Sequence, residues 1–183
     1  MNAAAAIKKY IDACNSYQDA IDSFEEPNYR QKLKEEEVRL RASFQALMNL
    51  AGLNQPTIWH SIGSGFNTGR GVTRDKQEAI RWFQRAADAG HAPAMINLGL
   101  CLTYPEPASD IAAAIDWFRK AADLDYAGGM VWLGFAYREG RGVPRDDKMY
   151  PPDEPHQIKV AKHCFIDTER HRDVRRQTSY RPR

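Results

Sequence analysis

Long hydrophobic runs are absent from this 183-residue chain. No stretch of about 18 apolar residues occurs, so no membrane span is expected. The opening residues, Met1-Asn2-Ala3-Ala4-Ala5-Ala6-Ile7-Lys8-Lys9, do not read as an export signal. Their apolar run is too short, and the lysines follow it instead of preceding it. Cysteine is scarce. Cys14, Cys101 and Cys164 are odd in number, far apart and form no C-x-x-C pair. A disulfide framework is therefore not expected, and the thiols read as small buried apolar groups. These features together predict a cytoplasmic protein.

Catalytic constellations are also lacking. Gly63-Ser64-Gly65 followed by Gly69-Arg70-Gly71 is glycine-rich, but no strand precedes it and no G-K-[S/T] closes it, so it is not a phosphate loop. His156, His163, Cys164 and His171 lack the close pairing of zinc ligands. Nothing orients His171 as a base for Cys164. Glu25-Glu26, Glu35-Glu36-Glu37 and Asp146-Asp147 read as solvated faces or turns. The chain is expected to be no enzyme and to use no cofactor and no metal. Charge of one sign is concentrated in one place. The formal net charge is +2, yet residues 156–183 carry eight Lys/Arg against three Asp/Glu. Arg170, Arg172, Arg175 and Arg176, with Tyr180 and Arg181, could contact phosphates. A nucleic-acid-associated regulator is the alternative function on that ground.

What is abundant is self-similarity. Gly69-Arg70-Gly71-Val72 recurs as Gly140-Arg141-Gly142-Val143. Arg81-Trp82-Phe83 with Ala86-Ala87-Asp88 recurs as Asp116-Trp117-Phe118 with Ala121-Ala122-Asp123. Gly63, Gly99 and Gly134 are spaced by 36 and then 35 positions. A period of this size marks stacked helical hairpins, each burying its apolar face on the next.

The expected architecture is all-α: a short right-handed α-solenoid preceded by a helical hairpin and followed by an irregular tail. Three regions are expected. Residues 1–55 form the hairpin. Its first helix, 2–24, has Ile7, Tyr10, Ile11, Cys14, Tyr17, Ile21 and Phe24 at helical spacing. Its second, 28–51, has Leu33, Val38, Leu40, Phe44, Leu47, Met48 and Leu50 as an apolar face, with Gly52 as the stop. Residues 56–147 hold about two and a half repeats. In the second of them the glycine loop is replaced by Tyr104-Pro105-Glu106-Pro107-Ala108-Ser109-Asp110, where Ser109 or Asp110 can cap the next helix. Residues 148–183 are a proline-interrupted cap and basic tail, with Pro151, Pro152 and Pro155 forbidding a continuous helix. A helix over 156–176 with Ile158, Ala161 and Phe165 inward, or a short strand at 158–166, would cover the last hairpin.

Gly63, Gly99 and Gly134 fall in mid-helix, where glycine costs about 1 kcal/mol relative to alanine. Their recurrence predicts close approach of two helix backbones. Trp82 and Trp117 are expected to fill the space between successive hairpins. Gly71 and Gly142 are expected to make the tight loop.

These motifs resemble the Sel-one-like repeat, a relative of the tetratricopeptide repeat. The matching residues are Ala79, Trp82, Ala86, Ala87, Gly90, Ala94, Leu98 and Gly99, and then Gly134, Tyr137, Gly140, Gly142 and Val143. The resemblance covers about residues 57–147. Departures are Ile62 and Phe66 in the first repeat, the altered loop in the second, and the missing helix after Asp147. The family consists largely of adaptors and scaffolds, and in bacteria includes effectors and immunity proteins that neutralise a toxin. The resemblance implies a non-catalytic protein-binding module.

In such arrays the first helix of each hairpin lines a concave face. The partner-facing columns are then Ser61, Asn97 and Trp132; Gly65, Cys101 and Ala136; and Thr68, Tyr104 and Glu139. Trp132 stands where its counterparts are Ser and Asn, which makes it the candidate hot spot. Arg138 and Tyr104 flank it, with His60 and Arg70 as weaker candidates. A C-terminal segment folded over Trp132 is the competing reading. The expected partner is another protein, a toxin or effector among the options, and the N-terminal hairpin could equally pair two copies of the chain.

Overall fold

A computed structural model describes residues 2–25, 27–104 and 110–145. These residues form seven helices and no strand. They fall into two compact units, one ending at Ala94 and one beginning at Met95.

The first unit opens with α1 (Ala3–Asp22) and α2 (Tyr29–Asn49). Asn2 caps α1, its side-chain oxygen accepting from the Ala5 amide at 2.8 Å. The two helices pack along small residues. The buried face of α1 is Ala3, Ala6, Tyr10, Ala13, Cys14 and Ala20, so on the α1 side it is mostly alanine, with Tyr10 meeting the Phe44 ring at 5.7 Å. Three expected core residues are therefore outside it. Ile11 is 49% exposed, Phe24 66% and Val38 68%. Phe24 lies beyond the end of α1, and Val38 lies across α2 from Leu40, Phe44 and Leu47, which are buried. Gly52 is not the stop either. Leu50 caps α2, its amide bonded to the Leu47 carbonyl at 2.9 Å.

The first repeat follows as α3 (Pro56–Thr68) and α4 (Lys76–Asp88). Pro56 sits in the first turn of α3, where its missing N–H is not needed. Gly69 ends α3 at φ +74°, a left-handed conformation that other residues adopt only at a cost. Asp75 caps α4, accepting from the amides of Gln77 (2.9 Å) and Glu78 (3.0 Å).

In the second unit α5 (Ala92–Thr103) leads to α6 (Ile111–Asp123) and α7 (Ala127–Glu139). The first residues of α5 precede the division between the units. Asp110 is the α6 cap, its carboxylate accepting from the Ala113 amide at 2.9 Å. Gly140 ends α7 at φ +66°, as Gly69 ends α3.

The N-terminal hairpin is joined to the first repeat, since α1 and α2 both contact α3. Its second helix behaves like that of a preceding repeat. A methyl group on Gly71 would lie 2.8 Å from Phe44 Cβ and 2.9 Å from the Leu40 carbonyl oxygen. On Gly142 it would run into Ile111 and come within 3.3 Å of Ile115. Leu40, Phe44 and Gly71 are each 71 positions before Ile111, Ile115 and Gly142. The hairpin thus stands in register with the repeats although it lacks their motif.

Candidate functional site

The mid-helix glycines have a different partner from the one their spacing suggests. A methyl on Gly63 would lie 2.7 Å from Phe83 Cδ1. One on Gly99 would lie 2.8 Å from Phe118 Cζ. Each glycine is a notch for an aromatic ring of the next helix, not a crossing of two backbones. Backbone approach occurs instead at Gly129, where a methyl would be 2.7 Å from the Phe118 carbonyl oxygen and 2.8 Å from the Ala121 carbonyl carbon. The alanine pair of α6 thus does pack closely, but against the start of α7.

The expected roles of Trp82 and Trp117 shift accordingly. Phe83 and Phe118 are buried, whereas both tryptophans are half-buried. Trp117 carries the Lys120 ammonium 3.8 Å above its ring. Arg85 lies 4.1 Å over Trp59 and 5.8 Å from Trp82. The tryptophans form cation-bearing shoulders around the phenylalanines. The Trp-Phe dipeptide carries both residues, and its spacing alone does not say which one turns inward.

The proposed partner-facing residues divide between the units. Ser61 belongs to the first unit, and its hydroxyl donates back to the Thr57 carbonyl at 2.8 Å. Gly65 and Thr68 are in the first unit too, and Asn97, Cys101, Tyr104, Trp132, Ala136, Arg138 and Glu139 lie in the second. Cys101 is only 6% exposed, so it is no surface contact. Its column mates Gly65 and Ala136 are buried too. In the first unit that column faces the hairpin, because a methyl on Gly65 would overlap the Phe44 ring and lie 2.8 Å from the Tyr10 hydroxyl.

Two groups remain at the surface. In one, Trp132 is half-buried. Its ring stacks on Phe118 at 5.9 Å between centroids and 21° between planes, and meets Phe135 at 5.6 Å. The exposed Arg138 guanidinium lies 4.7 Å over Phe135 and 3.6 Å from the Glu139 carboxylate. Trp132, Phe135 and Arg138 follow one face of α7 at helical spacing. In the other, the Arg141 guanidinium reaches the Tyr104 hydroxyl at 3.5 Å and lies 5.8 Å over its ring. Asn97 is half-buried on α5. Phe135 and Arg141 were not anticipated, although Phe135 could have been found three positions from both Trp132 and Arg138.

The weaker candidates, His60 and Arg70, lie in the first unit. Tyr10 donates its hydroxyl proton to the Arg70 carbonyl at 3.0 Å, and Arg70 donates to Gln18 Oε1 at 3.3 Å. Arg70 thus clasps the glycine loop to the hairpin. The His60 and His91 rings are 5.0 Å apart. Burial, with a smaller contribution from His91, pushes the His60 pKa down to about 4. Burial also lowers that of His91. His156, His163, Cys164, His171, Ser109 and the arginines from 170 onward lie outside the described residues. No described helix is long and apolar enough to cross a membrane.

No curated protein matches the chain. A family model for the Sel1 repeat matches residues 61–91, 92–126 and 127–149. Solved structures share the fold. One is a Sel1 repeat protein from Oxalobacter formigenes, 28% identical over 62% of this chain and 48% of that one, with a TM-score of 0.53. Another is a protective antigen present in uropathogenic Escherichia coli strains and displaying an SLR fold. It is 32% identical over 58% of this chain and 23% of that one, with a TM-score of 0.54. The chain therefore spans about half the length of the first structure and about a quarter of the second. Sel1 repeats are generally protein-interaction modules without catalytic activity. Residues 61–149 thus carry three consecutive matches to the Sel1 repeat.

Proposed function

We propose that the second unit docks a partner protein through α7, with Trp132, Phe135 and Arg138 as the contact ladder and Asn97, Tyr104 and Glu139 around it. The observation behind this reading is the ladder itself. A half-buried tryptophan, held in one orientation by Phe118 and Phe135, loses little entropy on binding. The exposed guanidinium at its end supplies charge-assisted hydrogen bonds. Aromatic and arginine side chains dominate binding energy at interfaces. Inhibition of a toxin by occlusion is one form that such docking takes within this family, and it fits a small array without a catalytic constellation.

The test is capture of partners from the native host with the parent and with Arg138→Glu. The exposed charge reversal is expected to leave stability within about 0.5 kcal/mol and to weaken capture of the same partner at least tenfold. Equal capture by both proteins places the contact elsewhere. Co-expression with the captured partner then separates inhibition from scaffolding, since an inhibitor restores growth that the partner alone arrests. A second reading rests on the charge concentrated in residues 156–183. Salt-sensitive retention of RNA or DNA, lost on deleting 170–183, would favour it.

A further inference from the structure

Arg81 and Arg85 both stand exposed on α4, but their charges are met differently. Arg81 is ion-paired with Glu78. Asp88, one turn beyond Arg85, takes a hydrogen bond from Gln84 at 2.8 Å. Arg85 has neither an ion pair nor a hydrogen bond among the described residues. Its contacts are aromatic. The guanidinium carbon lies 4.1 Å from the centre of the Trp59 ring and 5.8 Å from that of Trp82. Trp59 is only 4% exposed, and its indole N–H donates to the Ala51 carbonyl at 2.9 Å. The platform under the guanidinium is thus fixed by the turn between α2 and α3.

The second repeat shows what the first has added. Trp117 and Lys120 stand 35 positions after Trp82 and Arg85. There the Lys120 ammonium lies 3.8 Å from the centre of the Trp117 ring. The residue matching Trp59, 36 positions on as Gly99 is from Gly63, is Met95. The first repeat therefore has an additional indole, and its cation lies closer to that indole than to the tryptophan both repeats share. The two cations also differ in kind. An ammonium is a compact point charge, whereas a planar guanidinium lying over a ring keeps its N–H donors along its edge.

Such an edge matches a carboxylate, whose two oxygens accept from the fork together. An arginine already held on a ring has less rotamer freedom left to lose on binding. One uncompensated cation suits one negative charge. A phosphate dianion would meet Asp88 one turn away with no second cation to offset it, since Glu78 occupies Arg81. We propose that Arg85, held over Trp59, is a docking point for an aspartate or glutamate side chain in an acidic segment of a partner protein, with the half-buried Trp82 ring as the apolar surface beside it. This surface belongs to the first unit and does not depend on the α7 ladder of the second.

The probe is a capped octapeptide of glutamate, aspartate and leucine, titrated into the full chain while the indole N–H resonances are followed by NMR. The Trp59 and Trp82 signals are expected to shift saturably, and those of Trp117 and Trp132 to stay. Arg85→Glu is expected to weaken binding at least tenfold. Arg85→Lys keeps the charge but loses the planar fork, and should weaken it about fivefold. Lys120→Glu changes the net charge by the same amount at the matching position and should leave binding within about twofold of the parent. Thermal melts of the three variants, all at exposed positions, check that each is folded. The proposal is overturned by the absence of a saturable shift at millimolar peptide, or by equal losses in Lys120→Glu and Arg85→Glu. Tighter binding of inorganic phosphate than of the peptide overturns the carboxylate assignment. Self-association of the chain that Arg85→Glu abolishes overturns the partner in favour of a second copy.

Discussion

At the position two residues past the notch glycine, α3 has Gly65 and α5 has Cys101. Both are buried, but Gly65 is kept bare because the Phe44 ring and the Tyr10 hydroxyl occupy the place of a side chain. The first repeat is shaped to receive a hairpin outside the motif, and the second fills the same position with its own sulfur. The connections differ as well. The first uses the Gly69-Arg70-Gly71 loop, and the second lacks it. Yet the Asp75 and Asp110 amides donate to equivalent carbonyls, Phe66 at 3.0 Å and Leu102 at 3.4 Å. The cap aspartate and the ring in its notch are the shared requirements, while the loop sequence between them is free to change.

The largest expected effect tests what the repeats share. Phe83→Ala and Phe118→Ala should each cost about 3–5 kcal/mol in chemical denaturation. Trp82→Ala and Trp117→Ala should cost less, about 1–2 kcal/mol, since each loses half-buried surface and one cation contact. A tryptophan outweighing its neighbouring phenylalanine would contradict the assignment of the inward ring.

The next effect belongs to the first unit. The folded pKa of His60, about 4, lies below the ordinary 6.5, so the unfolded chain binds more protons between these values. The His60 contribution is fully present above about pH 6.5, is lost as pH falls, and levels off near pH 4. Its span is roughly 3 kcal/mol. His60→Phe should flatten the fall in stability between pH 6.5 and 4 relative to the parent. An unchanged slope would show that burial of the His60 ring is not the source.

A smaller effect separates the repeats directly. Gly65→Ala should cost about 1–3 kcal/mol through overpacking against Phe44, and Phe44→Leu in the same chain should recover part of it. Cys101→Ala should stay below about 1.5 kcal/mol. Comparable costs at both positions would remove the distinction drawn between them. The smallest effect is at Val38, where Val38→Ser should fall within about 0.5 kcal/mol.

The helices and caps were legible because period, proline and cap residues act locally. Asp110 announces its cap role within a few positions of itself, whereas Gly52 misled as a stop because Leu50 already closes α2. The array was legible because a 35–36-residue period has few physical causes. The inward ring was not, because Trp and Phe are both large and apolar and adjacent, and burial is decided by which one the facing glycine admits. Ile11 and Val38 misled for a related reason. Helix α1 packs through alanines, whose small hydrophobicity is outvoted by nearby isoleucine in any periodicity count. The partner-facing columns were projected from helical spacing alone. Spacing places Cys101 and Asn97 on neighbouring faces but does not say that the Cys101 column is occupied by protein.

Tyr10 also gives the molecule an optical reporter. Its hydroxyl is held by the Arg70 carbonyl, and burial pushes its ionisation far above the usual phenol range. A phenol in water ionises in moderate alkali and its ultraviolet absorbance rises, whereas burial keeps Tyr10 protonated while the hairpin stays on the glycine loop. A late absorbance step, removed by Tyr10→Phe, would time the release of the hairpin separately from the melting of the array behind it.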